Sequence, residues 1–513
     1  ILTGDGPLVN NSVLTGRGTI AGGGGFANNG YLAVSGGTLA LSNTGFNSNT
    51  GQIDIPAGQH LQLTGASLAN TGAISLTGGT VGGTATLNNT TGIISGHGTI
   101  ASPLTNAGLL AVDSGILGVN SSFTNNGEIY LAGGVATLSG SGTITNAGLL
   151  RGDGVVNKPV NNNVMGEIRA ESGKRIRLTG INGNNVGLIN LQGGTVEFSQ
   201  ALFIGGTGQI IGRDTLKVGG TGLQNNGNVA LSSGITDVFG DVNNSGGSAT
   251  MGITISGNAD VTFWDDVTNA IGSLFKVSSG SSATFFGTYG GAGISGTGNT
   301  FFESDITPGF SPATVEFGGN VALGSTAKLI MELGGTAAGS QYDQVHVSEQ
   351  LTLDGTLRVD LIDLGGGLFT PASGESFDIL DWGSLAGAFS AIDLPALTSG
   401  LVWNTSELYT AGVLSVGLPG DFNANGIVDA PDYVVWRKGL DTTYAPADYD
   451  VWRAHFGQTP GSGAGPPSAT AVSAVPEPPG ALLLTALLPL LIMLRLRSQC
   501  ALRNCWMPKS TFP

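Results

Sequence analysis

The sequence predicts an all-β chain: a right-handed parallel β-helix of about 20 residues per coil, closed by a β-rich module and followed by a small α-helical module and a C-terminal apolar helix. Three observations carry this. A phrase of the form Asn-x-Gly-x-apolar keeps returning through the first half of the chain. The 88 glycines lack a Gly-x-y period, which excludes collagen, while 40% apolar residues is too many for low-complexity disorder. Only 11% of residues are charged, against about a quarter in ordinary globular domains.

The phrase reads "NNGYLAV", "NTGAISL", "NAGLLAV", "NNGEIYL" and "NNGNVAL" at successive places. Marked by its Gly, it falls at Gly30, Gly51, Gly72, Gly92, Gly108, Gly127, Gly148, Gly166, Gly187, Gly208, Gly227 and Gly246, which is 216 residues in 11 steps. The residue two after the mark is apolar in eleven of the twelve, Ser248 being the exception, and the residue two before is Asn in nine. A period near 20 with strand-like alternation and no helical face fits one turn of a parallel β-solenoid. Stacked coils place equivalent residues about 4.8 Å apart, so the apolar residue becomes a buried column and the Asn an amide ladder. A buried Ile is then expected to be worth about 2 to 5 kcal/mol against Ala and a ladder amide about 1 kcal/mol.

The repeat blurs after residue 250, so residues 1–302 are assigned to the β-helix and 303–417 to a second, β-rich module with longer strands. "SDITPGFSPATVEF", "LIMELGGTAAGSQYDQVHVSEQLTLDGTLRVDL" and "GLVWNTSELYTAGVLSV" resemble the C-terminal end of autotransporter-type, adhesin-like β-helix passengers. The resemblance implies a β-rich piece that closes the stack, whose last coil would otherwise leave its backbone groups unpaired. No membrane β-barrel follows in this sequence.

Residues 418–458 carry the most informative chemistry. In "DFNANGIVDAPD", Asp421, Asn423 and Asn425 stand at loop positions 1, 3 and 5, Gly426 at 6, Asp429 at 9 and Asp432 at 12. A hard cation such as calcium takes six to eight oxygens, and this spacing supplies carboxylates, amides and the backbone carbonyl of Ile427. Val428 is expected to pack inward. Position 12 is Asp rather than the Glu of an EF-hand, and "YVVWRKGL" follows. The pattern resembles a type I dockerin, which implies a helix opened by the loop, a basic pair at Arg437 and Lys438, and a cohesin-like partner. "DYVVWR" at 432–437 is answered by "DYDVWR" at 448–453. The chain departs from the family in having "LDTTYAPA" where a second loop would stand, and Ala430 and Pro431 where cohesin-binding members carry hydroxyls. One calcium ion is therefore expected, not two.

Parallel β-helices include pectin-degrading enzymes. "GHG" at 96–98 and the paired acids of "WDDV", Asp265 and Asp266, are the catalytic candidates. About eight coils separate His97 from Asp265, roughly 40 Å, whereas working carboxyls lie within about 5 to 9.5 Å. His97 is read as a surface residue beside a turn glycine, and Asp343 and His346 as strand-edge decoration. The sequence holds no Walker loop, zinc pattern or Ser-centred elbow. A formal charge of -16 repels phosphate backbones, which argues against nucleic acid as a partner.

Residues 459–474 are a Gly/Ser/Pro linker. The uncharged run from Gly480 to Leu494 is about 22 Å long as a helix against a hydrocarbon core of about 30 Å, with Arg495 and Arg497 behind it. "VPEP" (Val475, Pro476, Glu477, Pro478), the apolar run and the Arg cluster, within 475–498, resemble the PEP-CTERM sorting signal of Gram-negative, exopolysaccharide-producing bacteria. That resemblance implies an exosortase-type membrane protease as partner, a transient membrane segment, and a cytoplasmic tail, 499–513, holding Cys500 and Cys505. With the dockerin-like module it also resembles large surface proteins of planctomycete-type bacteria. The start at Ile1 without Met reads as a processed or incomplete beginning. The reading is an exported, non-catalytic solenoid at the cell surface that binds polysaccharide or neighbouring cells. Its alternative is a polysaccharide-degrading β-helix enzyme docked through its dockerin.

Overall fold

The computed structural model describes residues 1–246, 250–310, 312–398 and 400–459. The sorting-signal residues Val475 to Pro478, Arg495 and Arg497, the apolar run and the tail lie outside the described residues. The described chain is a β-solenoid of about 15 parallel turns, about 21 residues each. One sheet of 23 strands and two sheets of nine run along it. Most early coils give the large sheet a long strand, such as Tyr31–Leu41, or two short ones, such as Gln52–Pro56 and His60–Leu63, and the smaller sheet a three-residue strand, such as Phe26–Asn28.

The long strand bends in its middle because the sequence puts glycine there. Along Tyr31–Leu41 inward and outward residues alternate, except at Ser35 and Gly36, where two successive residues face solvent. Gly36 and Gly37 hold φ of 76° and 134°, a region that side chains rarely adopt, and the pairing register shifts beside them. The apolar column is as the repeat predicts. Leu32, Ile53, Ile74, Ile94, Leu110, Ile129, Leu150, Ile168, Ile189, Ile210 and Val229 are all buried.

The asparagine ladder is longer than the repeat count implies. Side-chain amide bonds of 2.6–2.8 Å link Asn10, Asn28, Asn49, Asn70, Asn89, Asn106, Asn125, Asn146, Asn162 and Asn185 in series. Asn89 and Asn162 are rungs even though Thr90 and Val164 hold the expected positions, because their turns are one or two residues longer. Ile204 replaces the next rung, pairing with both Asn185 and Asn225, and the ladder resumes through Asn225, Asn244 and Asn269 at 2.8 Å. Each amide donates to the next coil and accepts from the last, so burial leaves little of its polarity unmet.

One corner of the stack holds a cation. Lys158 is fully buried and follows a column of small residues, Ser102, Ser121 and Gly142. Its Nζ reaches down two coils, donating to the carbonyls of Val119 at 2.7 Å, Ser121 at 3.3 Å and Ser141. Burial lowers its pKa from 10.5 to about 8.

Further along, the core turns aromatic. Phe263, Phe275, Phe285, Tyr289, Phe302 and Phe317 meet ring against ring at 5.0–6.5 Å. Parallel pairing continues past residue 302 to Ala391–Asp393. An antiparallel sheet of Ser376–Asp378, Val413–Gly417 and Val402–Asn404 then covers the end, burying Phe377, Leu414 and Val416.

Two helices follow, α1 (Ala430–Gly439) and α2 (Asp448–His455). Their twin sequences explain their packing. Tyr433 of the first copy meets Trp452 of the second at 5.3 Å, and Trp436 of the first meets Tyr449 of the second at 5.2 Å. The exchange is reciprocal, so one duplicated motif supplies both sides of a four-ring core.

Candidate functional site

The loop from Asp421 to Asp432 folds onto its own side-chain oxygens. Asp421 accepts the backbone N–H of Asn425 at 3.1 Å through Oδ1 and of Gly426 at 2.8 Å through Oδ2. Asn423 Oδ1 accepts the same Asn425 N–H at 2.9 Å, so the oxygens of positions 1 and 3 converge on one point. Asn425 Oδ1 accepts from Ile427 N at 2.8 Å. Gly426 has φ of 82°, the sharp turn expected at position 6. Val428 is fully buried, as position 8 requires, while the Ile427 side chain is 42% exposed and offers only its backbone.

Asp432 ties the far end of the loop back to its beginning. It is fully buried, with Oδ1 accepting Asn423 N at 3.0 Å and Oδ2 accepting Asp429 N at 2.8 Å. The second bond places Asp432 in the first turn of α1 as a cap, with Pro431 beside it. Burial and the neighbouring Asp432 charge raise the Asp421 pKa, although the N–H groups of Gly426 and Asn425 oppose them. Asp429 Oδ1 is buried with no hydrogen-bond partner.

These features fit a bound cation. Two mutually repelling carboxylates and an orphaned buried carboxylate oxygen occupy one short loop, which is the condition that a hard divalent ion relieves. Among the described residues no three His, Cys, Asp or Glu side chains form a metal-holding group alone. The donor set of this loop is mixed, with amides and a carbonyl beside its carboxylates.

Support for the loop comes from residues that the motif did not flag. Val428 N donates to Gln458 O at 3.0 Å, Gly457 N donates to Val428 O at 2.7 Å, and Trp452 Nε1 donates to Asp429 O at 2.8 Å. The segment after α2 therefore pairs with the loop. The Trp of "DYDVWR" was the visible signal, since a twin helix needs a contact with the first.

His97 and the acid pair Asp265–Asp266 stand on different coils. His97 lies between Gly96 and Gly98 on the surface, 3.6 Å from Asp113. Asp265 Oδ2 accepts Gly240 N at 2.7 Å and Asp266 Oδ1 accepts Thr288 N at 2.8 Å, so this acid pair stitches neighbouring coils together. His346 is a half-buried strand residue bonded to Asp381 at 2.9 Å. Asp343 does not decorate an edge: it is buried, accepts Ala313 N and Glu332 N at 2.9 and 2.8 Å, and burial pushes its pKa up to about 7. Its two backbone partners stand 30 and 11 residues back along the chain, which sequence spacing does not reveal.

An exposed aromatic stack was also missed. Phe239, Trp264 and Phe286 lie one coil apart with near-parallel rings at 5.7 and 4.8 Å, and Lys217 sits 4.7 Å from the Phe239 centroid. Trp264 and Phe286 are 42% and 46% exposed. Among the described residues no helix is long and apolar enough to cross a membrane. No protein-family model, curated protein or solved structure matches the chain.

Proposed function

We infer that the protein is an exported, non-catalytic β-solenoid of the cell surface that binds extracellular polysaccharide or a neighbouring cell, with a single calcium ion held in its helical module. The unbroken parallel stack carries this reading. It provides a long, sparsely charged surface, and the acids that would serve hydrolysis, Asp265 and Asp266, accept backbone N–H groups of adjacent coils. Calcium would be held by Asp421, Asn423, Asn425, the Ile427 carbonyl, Asp429 and Asp432, and would supply the positive charge that this loop lacks. The protein's part is to hold those oxygens in place through α1 and the Val428–Gln458 pairing.

The "VPEP" tail directs the chain to the surface, where an exosortase-type protease removes it. A cohesin-like protein is the partner that the helical module would meet if it docks. Purified protein incubated with pectins and other acidic glycans should release no reducing ends. Turnover abolished by His97→Ala or Asp265→Ala would instead establish the degrading-enzyme reading. Protein recovered from the surface should lack the peptide "NCWMPK", 504–509. Its presence would make the tail a lasting anchor.

A further inference from the structure

A cleft of about 720 Å³ lies between the antiparallel cap of the solenoid and the outer side of the Asp421–Asp432 loop. That volume is within the range of about 300–1,000 Å³ usual for small-ligand sites. One wall is cap: Trp403, Asn404 and Glu407. The other is helical module: Phe422, Tyr444 and Asp448. The aromatic groups are held rather than loose. Trp403 Nε1 donates to Pro395 O at 2.8 Å and its ring rests on Phe377 at 6.1 Å. Tyr444 packs on Phe422 at 4.7 Å and its hydroxyl donates to the Phe422 carbonyl at 3.4 Å.

We propose that this cleft binds a short, uncharged oligosaccharide. The proposal rests on the glycan-binding reading above and gives it a site. Fixed aromatic rings on both walls suit the apolar C–H faces of sugar rings, and the hydroxyls of Ser406 and Thr443 and the Asn404 amide suit their hydroxyls. Charge selects among sugars. Glu407 and Asp448 line the cleft and, among the described residues, no Lys, Arg or His does, so uronates, sulfated sugars and phosphates are repelled. Carboxylates accept hydrogen bonds from neutral hydroxyls without needing a counter-charge. The Phe239–Trp264–Phe286 stack is the less suitable platform, because the Trp264 ring is sandwiched between its two neighbours and Lys217 lies over Phe239.

The full chain, with calcium present, should be titrated with gluco-, manno- and galacto-configured neutral trisaccharides, with trigalacturonate and with a chitosan trimer. At least one neutral trisaccharide should bind. Ser406→Trp, which fills the cleft from an exposed position, and Tyr444→Ala should each weaken binding at least tenfold, while Trp264→Ala leaves it unchanged. Circular dichroism of the Ser406→Trp protein confirms that the fold persists. Binding that survives Ser406→Trp, or that is lost in Trp264→Ala, overturns the cleft but leaves the glycan reading standing. Preference for trigalacturonate or the cationic trimer overturns the charge argument. No binding of any of these sugars by the unaltered protein overturns both the cleft and the reading beneath it.

Discussion

The coils between Asn10 and Asn185 and the loop between Asp421 and Asp432 both bury polar side chains, and they satisfy them in opposite ways. In the solenoid each buried amide is neutral and meets a copy of itself one coil away at 2.6–2.8 Å. In the loop the buried groups include carboxylates, which turn onto the backbone N–H groups of the same loop and leave Asp429 Oδ1 without a partner. Translation supplies what the amides need. The loop has no Lys, Arg or His of its own to offset its carboxylates, which is the ground for the calcium proposed there.

The largest effect expected from this contrast is on the loop. Calorimetry should return one calcium per chain. Asp432→Ala should abolish binding and lower the helical signal, because the buried carboxylate holds both Asn423 N and the start of α1. Asn425→Asp, which adds a charge at an existing oxygen position, should tighten binding. A stoichiometry of two or of zero would erase the contrast with the solenoid.

Within the solenoid the apolar column should outweigh the ladder by less than the pattern alone suggests. Ile129→Ala removes a fully buried side chain and should destabilise by about 2 to 5 kcal/mol. Asn125→Ala takes the donor from Asn146 Oδ1 and one of two acceptors from Asn106 Nδ2, which raises its expected cost to about 1 to 3 kcal/mol. Urea midpoints in the reverse order would mean that the amides, not the aliphatic groups, hold the coils in register.

Lys158 tests what happens when a charge enters the neutral region. Its folded pKa, about 8, lies below the ordinary 10.5, so between those values the unfolded chain binds more protons than the native one. Stability should therefore rise with pH through about 8 to 10.5, as the penalty of burying an ammonium is relieved. The three carbonyls at Nζ offset part of that penalty, which keeps the effect smaller than loss of a core side chain. Lys158→Met should flatten the rise. An unchanged slope in the variant would show that another group titrates.

The period, the buried column, the amide ladder, the sharp turn at Gly426 and the inward Val428 were legible because each depends on spacing along the chain. What was not legible depends on coil length. Asn89 and Asn162 join the ladder only because their turns lengthen, Lys158 finds its carbonyls two coils below, and Asp343 bridges Ala313 and Glu332. The same holds for the loop, whose tie to Gly457 and Gln458 depends on how the twin helices fold back.

The smallest effect belongs to the one gap in the ladder. Ile204 stands in register between Asn185 and Asn225, and both neighbours have turned inward on their own turns. Asn185 Nδ2 donates to Gly187 O at 3.1 Å, and Asn225 Oδ1 accepts Gly227 N at 3.1 Å. Ile204→Asn would join the two ladders, adding up to two amide bonds at about 1 kcal/mol each. It would also remove an aliphatic side chain that is 1% exposed, at a loss of similar size. The two terms nearly cancel, so the urea midpoint should move by less than about 1 kcal/mol equivalent in either direction. A loss as large as that of Ile129→Ala would mean that new rungs contribute nothing at this coil, and that the ladder's worth elsewhere comes from avoiding unpaired amides rather than from the bonds themselves.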